Sequence, residues 1–301
     1  MKRMLTNERG NVVLLMALSL MLLLAMAGIV IDGGSLYVAR AQLQKAANAA
    51  ALSGAQELTG ASNDVERIAR ETLHFHHEET SLDLLDIQME DQVSVGLTRT
   101  VPLGFSGILG VDDVPVSVAA TAELGVIGEA MGAAPLGIDE SIPLVYNQEY
   151  RLKVDSSGVD TGNFGVLALG GPGAATYEDN LRFGYGDSIG IGDILETQTG
   201  NIAGKTRRSV KERITNCPYP PGEMFHRDCP RILLVPVYRP YNQTSNQLKE
   251  VEVTGFSYFY ITEPMSSHDT SITGKFIKRA GTGFIKAEAV DRGALAIRLT
   301  E

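Results

Sequence analysis

Two glycine-rich stretches contain residue types that could hold a phosphate group. Residues 199–206 read TGNIAGKT, and the motif G-x-x-x-x-G-K-[ST] binds phosphate through backbone N–H groups and its lysine. Thr199 stands where the motif needs its first glycine, and the flanking residues show no βαβ unit. We therefore predict a turn that leads into a helix starting near Lys205. Residues 170–173 (GGPG) are also predicted to be a turn, because they contain a proline and no helix is expected directly after them.

Histidine and carboxylate side chains come together at the end of a predicted helix over residues 64–77. His74, His77 and Glu78 would share one helix face at i, i+3 and i+4, and imidazole and carboxylate groups can bind zinc together. The sequence places no fourth ligand and lacks the H-E-x-x-H spacing. We therefore expect an exposed polar helix end, and we predict no metal site and no cofactor.

The remaining acidic residues do not form a recognisable catalytic motif. Asp179, Asp187 and Asp193 lie in glycine-rich turns, but their spacing does not match the EF-hand. The sequence has no nucleophile elbow and no Ser-His-Asp order, so no catalytic residue is predicted and the protein is not expected to be an enzyme. The formal net charge of −10 argues against a nucleic-acid partner, which would require clustered Lys and Arg.

A long uncharged stretch near the start of the chain is typical of a membrane anchor. Residues 10–31 contain no charged side chain, and about 20 apolar residues in a helix span a ~30 Å hydrocarbon core. We predict a transmembrane helix over residues 11–31 and a cytoplasmic stub over residues 1–10. The residues taken as representative of the anchor are Val12, Leu15, Leu22, Leu24, Ile29 and Ile31.

Charges around the apolar run predict its orientation. Lys2, Arg3 and Arg9 precede the run, against one acid, Glu8. The positive-inside rule then places the N-terminus in the cytoplasm and everything after Asp32 outside the cell membrane, as a single-pass protein.

Two kinds of processing compete with an uncleaved anchor. Residues 25–27 (AMA) have the A-x-A form of a signal-peptidase site, although the apolar run continues beyond them. Gly10 stands where prepilin-type cleavage could occur, but Leu15 occupies the position where an acid is typical. We expect the anchor to remain attached.

The two cysteines can be interpreted once the compartment is chosen. Cys217 and Cys229 enclose a proline-containing segment, and outside the membrane such a pair is most simply a disulfide. Free buried thiols, or a zinc site that shares His226, are the alternatives. A cytoplasmic location would reverse the preference.

An alanine-rich segment follows the anchor and is predicted to be helical, because Ala, Gln, Leu and Lys are good helix formers. Small apolar residues recur at three- and four-residue steps and form a narrow stripe. The stripe could pack on the protein's own domain or bundle with other subunits, and the pattern does not separate these two interpretations. Gly33 and Gly34 could interrupt the helix. The stripe residues singled out for helix packing are Leu36, Ala39, Leu43, Ala47 and Ala50.

Residues 8–55 resemble the N-terminal module of TadE/TadG-like Flp pilus-assembly proteins. An E-R-G-N start and an apolar run precede V-I-D-G-G-x-L-Y-V-A-R-A-Q-L-Q, and residues 93–125 are similar to the strand pair that follows this module. The resemblance implies a non-enzymatic, membrane-anchored component of a tight-adherence or secretion apparatus. Its implied partners are the lipid bilayer and other pilus-assembly or pilin-like subunits. The matching polar positions are Asp32, Tyr37, Arg40, Gln42 and Asn48.

The predicted fold class is α+β: the anchor continues into the alanine-rich helix, and a β-rich extracytoplasmic region, sandwich or barrel-like, follows. We expect a helix-plus-strand module over residues 32–125, a linker over 126–138 and a β-rich domain over 139–301. A secreted or anchored ligand-binding or metal-dependent protein is the alternative function. Strands are predicted at 149–154, 164–169, 231–238, 250–261 and 273–278, and a further helix at 206–214.

Overall fold

The N-terminal part of the protein is one long helix. The structure, a computed structural model, describes residues 8–110, 113–153, 164–198, 202–241 and 248–300. Helix α1 (Glu8–Ala55) has 48 residues, which at 1.5 Å per residue gives a rod of about 72 Å. The helix continues through Gly33 and Gly34 without interruption, so the glycine pair does not form a break.

The rest of the chain adds three further α-helices, two short 3-10 helices and fourteen strands within the described ranges. The helices are α2 (Ser62–Phe75), α3 (Ala174–Phe183) and α4 (Ala203–Asn216). The first strands are β1 (Leu82–Gln88), β2 (Gln92–Pro102), β3 (Asp113–Ala130), β4 (Leu136–Asp139), β5 (Glu149–Lys153), β6 (Phe164–Val166) and β7 (Ile189–Gly190). The later strands are β8 (Ile194–Glu196), β9 (Ile232–Tyr241), β10 (Glu250–Ile261), β11 (Ser271–Ile277), β12 (Arg279–Gly281), β13 (Phe284–Ile285) and β14 (Ala294–Thr300). One long helix followed by a β-rich region confirms the predicted α+β class.

The strands of the described ranges form two seven-stranded sheets. The first sheet has the order β1-β2-β3-β14-β12, and β7 and β13 also pair with β3. Strand β14 pairs antiparallel with β3 from Leu295 opposite Val126 to Thr300 opposite Thr121. The C-terminal strand therefore completes the sheet of the N-terminal module, and the chain does not separate into the two successive units expected around residue 125.

The second sheet has the order β5-β11-β10-β9-β4-β6, with β8 paired to β10. Its central strand β9 buries side chains on both faces: Leu233 and Val235 face one core, and Leu234 and Tyr238 face another. A continuous apolar run is what a strand buried on both faces requires.

Three hydrophobic cores hold the layers together. Helix α1 packs on the first sheet, the two sheets pack on each other through residues such as Ile127 and Phe256, and α3 and α4 cover the outer face of the second sheet. The order of layers is therefore helix, sheet, sheet, helices. The first sheet combines strands from the first half of the chain with the C-terminal strand β14.

Two expectations differ from the structure. Residues 126–138 were expected to be a linker, but they contain the end of β3 and most of β4, and Ala130, Ala133 and Leu136 are buried. Glycine and alanine allow close sheet packing here, since a Cβ at Gly137 would lie 2.6 Å from the Tyr238 ring. The turn at 170–173 leads directly into α3, although no helix was expected there.

Candidate functional site

The predicted anchor residues lie on an unpacked length of α1. Val12, Leu15, Leu22, Leu24, Ile29 and Ile31 are 55–63% exposed. The 18-residue apolar window has a mean hydropathy of 2.8, and 6% of it is buried; within the described residues α1 is the one helix long and apolar enough to cross a membrane. Such uniform exposure of large apolar side chains requires an apolar surrounding.

The alanine stripe lies against the protein's own first sheet. Ala39 is 5% exposed, and Leu43, Ala47 and Ala50 are completely buried, whereas Leu36 is half-buried at the start of the packed length. The amide Nε2 of Gln44 donates a hydrogen bond of 2.9 Å to the Ala119 carbonyl on β3. Of the two interpretations of the stripe, this geometry corresponds to packing on its own domain.

Asp32 joins the anchor to the β2–β3 hairpin. Its carboxylate accepts hydrogen bonds from the backbone N–H groups of Gly104 (3.1 Å), Phe105 (3.1 Å) and Ser106 (2.6 Å), and from the Ser106 hydroxyl (2.7 Å). The residue is 4% exposed. We call this group of contacts between Asp32 and residues 104–106 the clasp. It fixes the hairpin to α1 at the residue where the apolar run ends.

The clasp is extended by one close contact within the anchor. A Cβ placed on Gly28 would lie 2.7 Å from the Phe105 Cβ, so a side chain at this position would displace Phe105. Gly28 is one helical turn before Asp32 and lies on the same face of α1. Glycine at this position is therefore what allows the hairpin to touch the helix.

The hydrogen bonds of the clasp also shift the ionisation of Asp32. The bond from the Ser106 hydroxyl, and then those from the backbone N–H groups, lower the Asp32 pKa below its ordinary value of 3.8, although burial opposes them. Donors that point at the ionised carboxylate favour the charged form. The clasp is therefore made with an ionised Asp32 at neutral pH.

His74, His77 and Glu78 do not meet at one site; His74 and Glu78 have different partners. His74 Nδ1 lies 3.1 Å from Glu79 Oε2, while the buried Glu78 pairs with Arg99 and accepts a hydrogen bond of 2.7 Å from Ser81. His77 follows the end of α2 with a φ of 59°. Across the described residues, no group of three or more His, Cys, Asp or Glu side chains is arranged to hold a metal ion.

The Gly-Lys-Thr residues lie in the first turns of α4 and serve packing. Lys205 Nζ lies 2.7 Å from Glu178 Oε2, and the hydrogen bond from Lys205, together with nearby Arg208 and Arg182, lowers the Glu178 pKa. The Thr206 hydroxyl is buried and 2.9 Å from the Tyr177 hydroxyl. Residues 199–201 lie outside the described ranges. Both candidate phosphate-binding groups are therefore engaged between α3 and α4.

Cys217 and Cys229 are joined by a disulfide with a Cα–Cα distance of 4.8 Å. The two sulfur atoms are bonded to each other and so are not thiolate ligands. His226 Nε2 lies 2.7 Å from Glu223 Oε2, and its ring stacks on Tyr219 at 3.5 Å. The bridge closes a loop next to the core between the two sheets.

Sequence reasoning missed the clasp. It placed Asp32 at the end of the charge-free run and a strand pair at residues 93–125, but it did not predict that the two meet. The usable signal was the charge-free apolar turn LGFSGILG at residues 103–110 between two predicted strands. A loop of a water-soluble domain is ordinarily polar.

Comparison with known proteins agrees with the N-terminal part of this description. No curated protein and no solved structure matches the chain. Residues 10–57 match the family model described as putative Flp pilus-assembly TadE/G-like. This range begins just before the exposed apolar length of α1 and ends just after the buried stripe. The resemblance predicted from sequence is thus confirmed over residues 10–57, which are similar to the TadE/G-like Flp pilus-assembly family.

Proposed function

We propose that this protein is a membrane-anchored structural or assembly component of a Flp/Tad-type pilus or adherence apparatus. The observation that carries the proposal is the division of α1 within the family-matched range. Its first part exposes apolar side chains over a membrane-spanning length, and its second part forms the core of a folded domain. An uninterrupted helix transmits the position of one part to the other.

The proposed orientation places the N-terminus in the cytoplasm and both sheets outside. The excess of Lys and Arg before the anchor supports it. The disulfide between Cys217 and Cys229 also supports it, because such bonds persist in oxidising compartments.

We propose that contact with other pilus-assembly or pilin-like subunits uses the outward side of α1. The stripe is occupied by the protein's own sheet, whereas Tyr37 is 75% and Val38 is 52% exposed just beyond the anchor. Large exposed apolar side chains beside a membrane segment favour helix–helix contact. The family match supports partners of this class.

We propose a non-enzymatic role. The family is one of pilus assembly, and the groups that could have performed chemistry are engaged in packing and ion pairs, as shown for Lys205 and Glu178. The protein would then act through binding and positioning.

The proposal is tested by membrane extraction and by protease access in spheroplasts. We expect the chain to remain in the membrane pellet after alkaline carbonate washing, and protease added to spheroplasts to digest the two-sheet domain. A matched variant, L22R/L24R, should reduce membrane retention, because each central arginine costs roughly 2.5–3.5 kcal/mol of insertion free energy. Carbonate-soluble protein, or a domain protected in intact spheroplasts and digested only after lysis, would contradict the proposal.

A further inference from the structure

The turn between β2 and β3 is unusually apolar for a loop. Residues 103–110, which we call the hairpin tip, read LGFSGILG and contain no charged residue. Phe105 within it is 47% exposed. The clasp holds the hairpin tip against α1, so the position of the tip relative to the anchor is defined.

The hairpin tip extends past the C-terminal end of the apolar run, toward its middle. Phe105 contacts Gly28, which is four residues before Asp32 and therefore about 6 Å nearer the middle of the apolar run. At this level α1 itself exposes Ile29 by 61% and Ile31 by 55%. The open side of Phe105 thus continues the apolar surface of the anchor at the same height.

The backbone of the tip is suited to a site poor in water. Unpaired N–H groups are costly there, and irregular backbone is tolerated only when its polar groups are satisfied. Asp32 accepts the N–H groups of Gly104, Phe105 and Ser106, and the Gly110 N–H bonds to the Gly107 carbonyl at 3.0 Å. The clasp therefore supplies partners that water would otherwise supply.

We propose that the hairpin tip is a second membrane contact, inserted with Phe105 into the interfacial region of the bilayer leaflet next to the two-sheet domain. This inference rests on the proposed membrane anchoring of α1. Aromatic side chains favour the membrane–water interface, and a second contact beside the helix would prevent the domain from tilting on a single attachment. The lipid bilayer is the proposed occupant because the tip is continuous with the anchor surface.

Depth-dependent fluorescence quenching tests this proposal. The chain contains no tryptophan, so F105W introduces one probe into the full-length protein. It would be reconstituted into phosphatidylcholine–phosphatidylglycerol vesicles with bromine near the top of the acyl chains. V30W, at a 73% exposed anchor position, is the positive control, and F75W, at an 80% exposed position at the end of α2, is the negative control.

We expect F105W to be quenched at least half as strongly as V30W, with emission shifted to the blue of F75W. Quenching of V30W but not of F105W would overturn the hairpin inference alone. Blue-shifted F105W emission without quenching would show that protein, not lipid, covers the tip, and would also overturn it. Absence of quenching in V30W would instead refute the membrane anchoring.

A second measurement uses the unsubstituted chain, so that a folding defect in F105W does not affect the test. Spin-labelled lipid with the label near the top of the acyl chain should broaden the Phe105 amide resonance in the reconstituted protein and leave Phe75 unchanged. Equal, weak broadening of both resonances would overturn the proposal.

Discussion

Replacing Leu43 by alanine should weaken the packing of α1 on the first sheet by about 3 kcal/mol. Leu43 is fully buried among residues of α1, β2 and β3, including Val95 and Val118. The three carbons removed contribute roughly 0.8 kcal/mol each by transfer, or about 2.4 kcal/mol in total. An incompletely filled cavity adds to this loss, and buried Leu→Ala changes cost about 2–5 kcal/mol.

Hydrogen exchange measured by mass spectrometry on the full chain in nonionic detergent reads this loss directly. If opening of the helix–sheet layer exposes the β2 and β3 amides, a loss of about 3 kcal/mol accelerates their exchange by roughly 150-fold. The acceleration should not change with protein concentration, because Leu43 is covered by its own chain.

L22A is the matched control, since Leu22 lies on the same helix and is 62% exposed. It removes the same atoms from a detergent-facing site, so exchange in β2 and β3 should change by less than about 0.5 kcal/mol in free-energy terms. If L43A behaved like L22A, Leu43 would not pack on the first sheet. If the effect of L43A appeared only on dilution, another subunit would cover the stripe.

Three further predictions concern the clasp and the disulfide. Because the clasp lowers the Asp32 pKa, the ionised carboxylate stabilises the folded state fully above pH 3.8, and this stabilisation is lost as the pH falls below that value. The chemical shift of the Phe105 amide should therefore change in this acid range. D32N should abolish this pH-dependent change. G28V should displace Phe105, at a cost of about 1–3 kcal/mol, and should abolish lipid quenching in an F105W background; retained quenching would show that the close contact is dispensable. Reduction of the Cys217–Cys229 bridge should lower the free energy of unfolding by about 2–4 kcal/mol, measured by urea titration with and without dithiothreitol; an unchanged midpoint would show that the loop is held by its other contacts.

Local patterns predicted most of the elements. The helix expected at 64–77 is α2 (Ser62–Phe75), and the alternating apolar and aromatic run at 250–261 is β10. Each of these elements buries one or both of its faces, so the periodicity of its apolar residues predicts it. Helix α3 was missed because its short sequence follows GGPG and buries few side chains, among them Tyr177 and Leu181.

Contacts between distant parts of the chain were not predictable from these patterns. The pairing of β14 with β3 joins residues more than 160 positions apart. The local sequence of Ala294–Thr300 does not indicate which strand it pairs with. The clasp is similar: Asp32 and Ser106 are 74 positions apart. A single sequence shows that Asp32 is charged and that the turn is apolar. It does not show that folding brings the two into contact.

We propose that α1 anchors the protein and presents its outward side to other subunits of a Flp/Tad-type apparatus. Site-specific photo-crosslinking in intact cells tests it most directly, with the probe at Tyr37 (75% exposed) or at the buried Ala47 on the same helix. We predict that the Tyr37 probe crosslinks to a second envelope protein identified as a pilus-assembly or pilin-like subunit, and that the Ala47 probe yields crosslinks within its own chain. Intermolecular crosslinks from Ala47, with none from Tyr37, would contradict it.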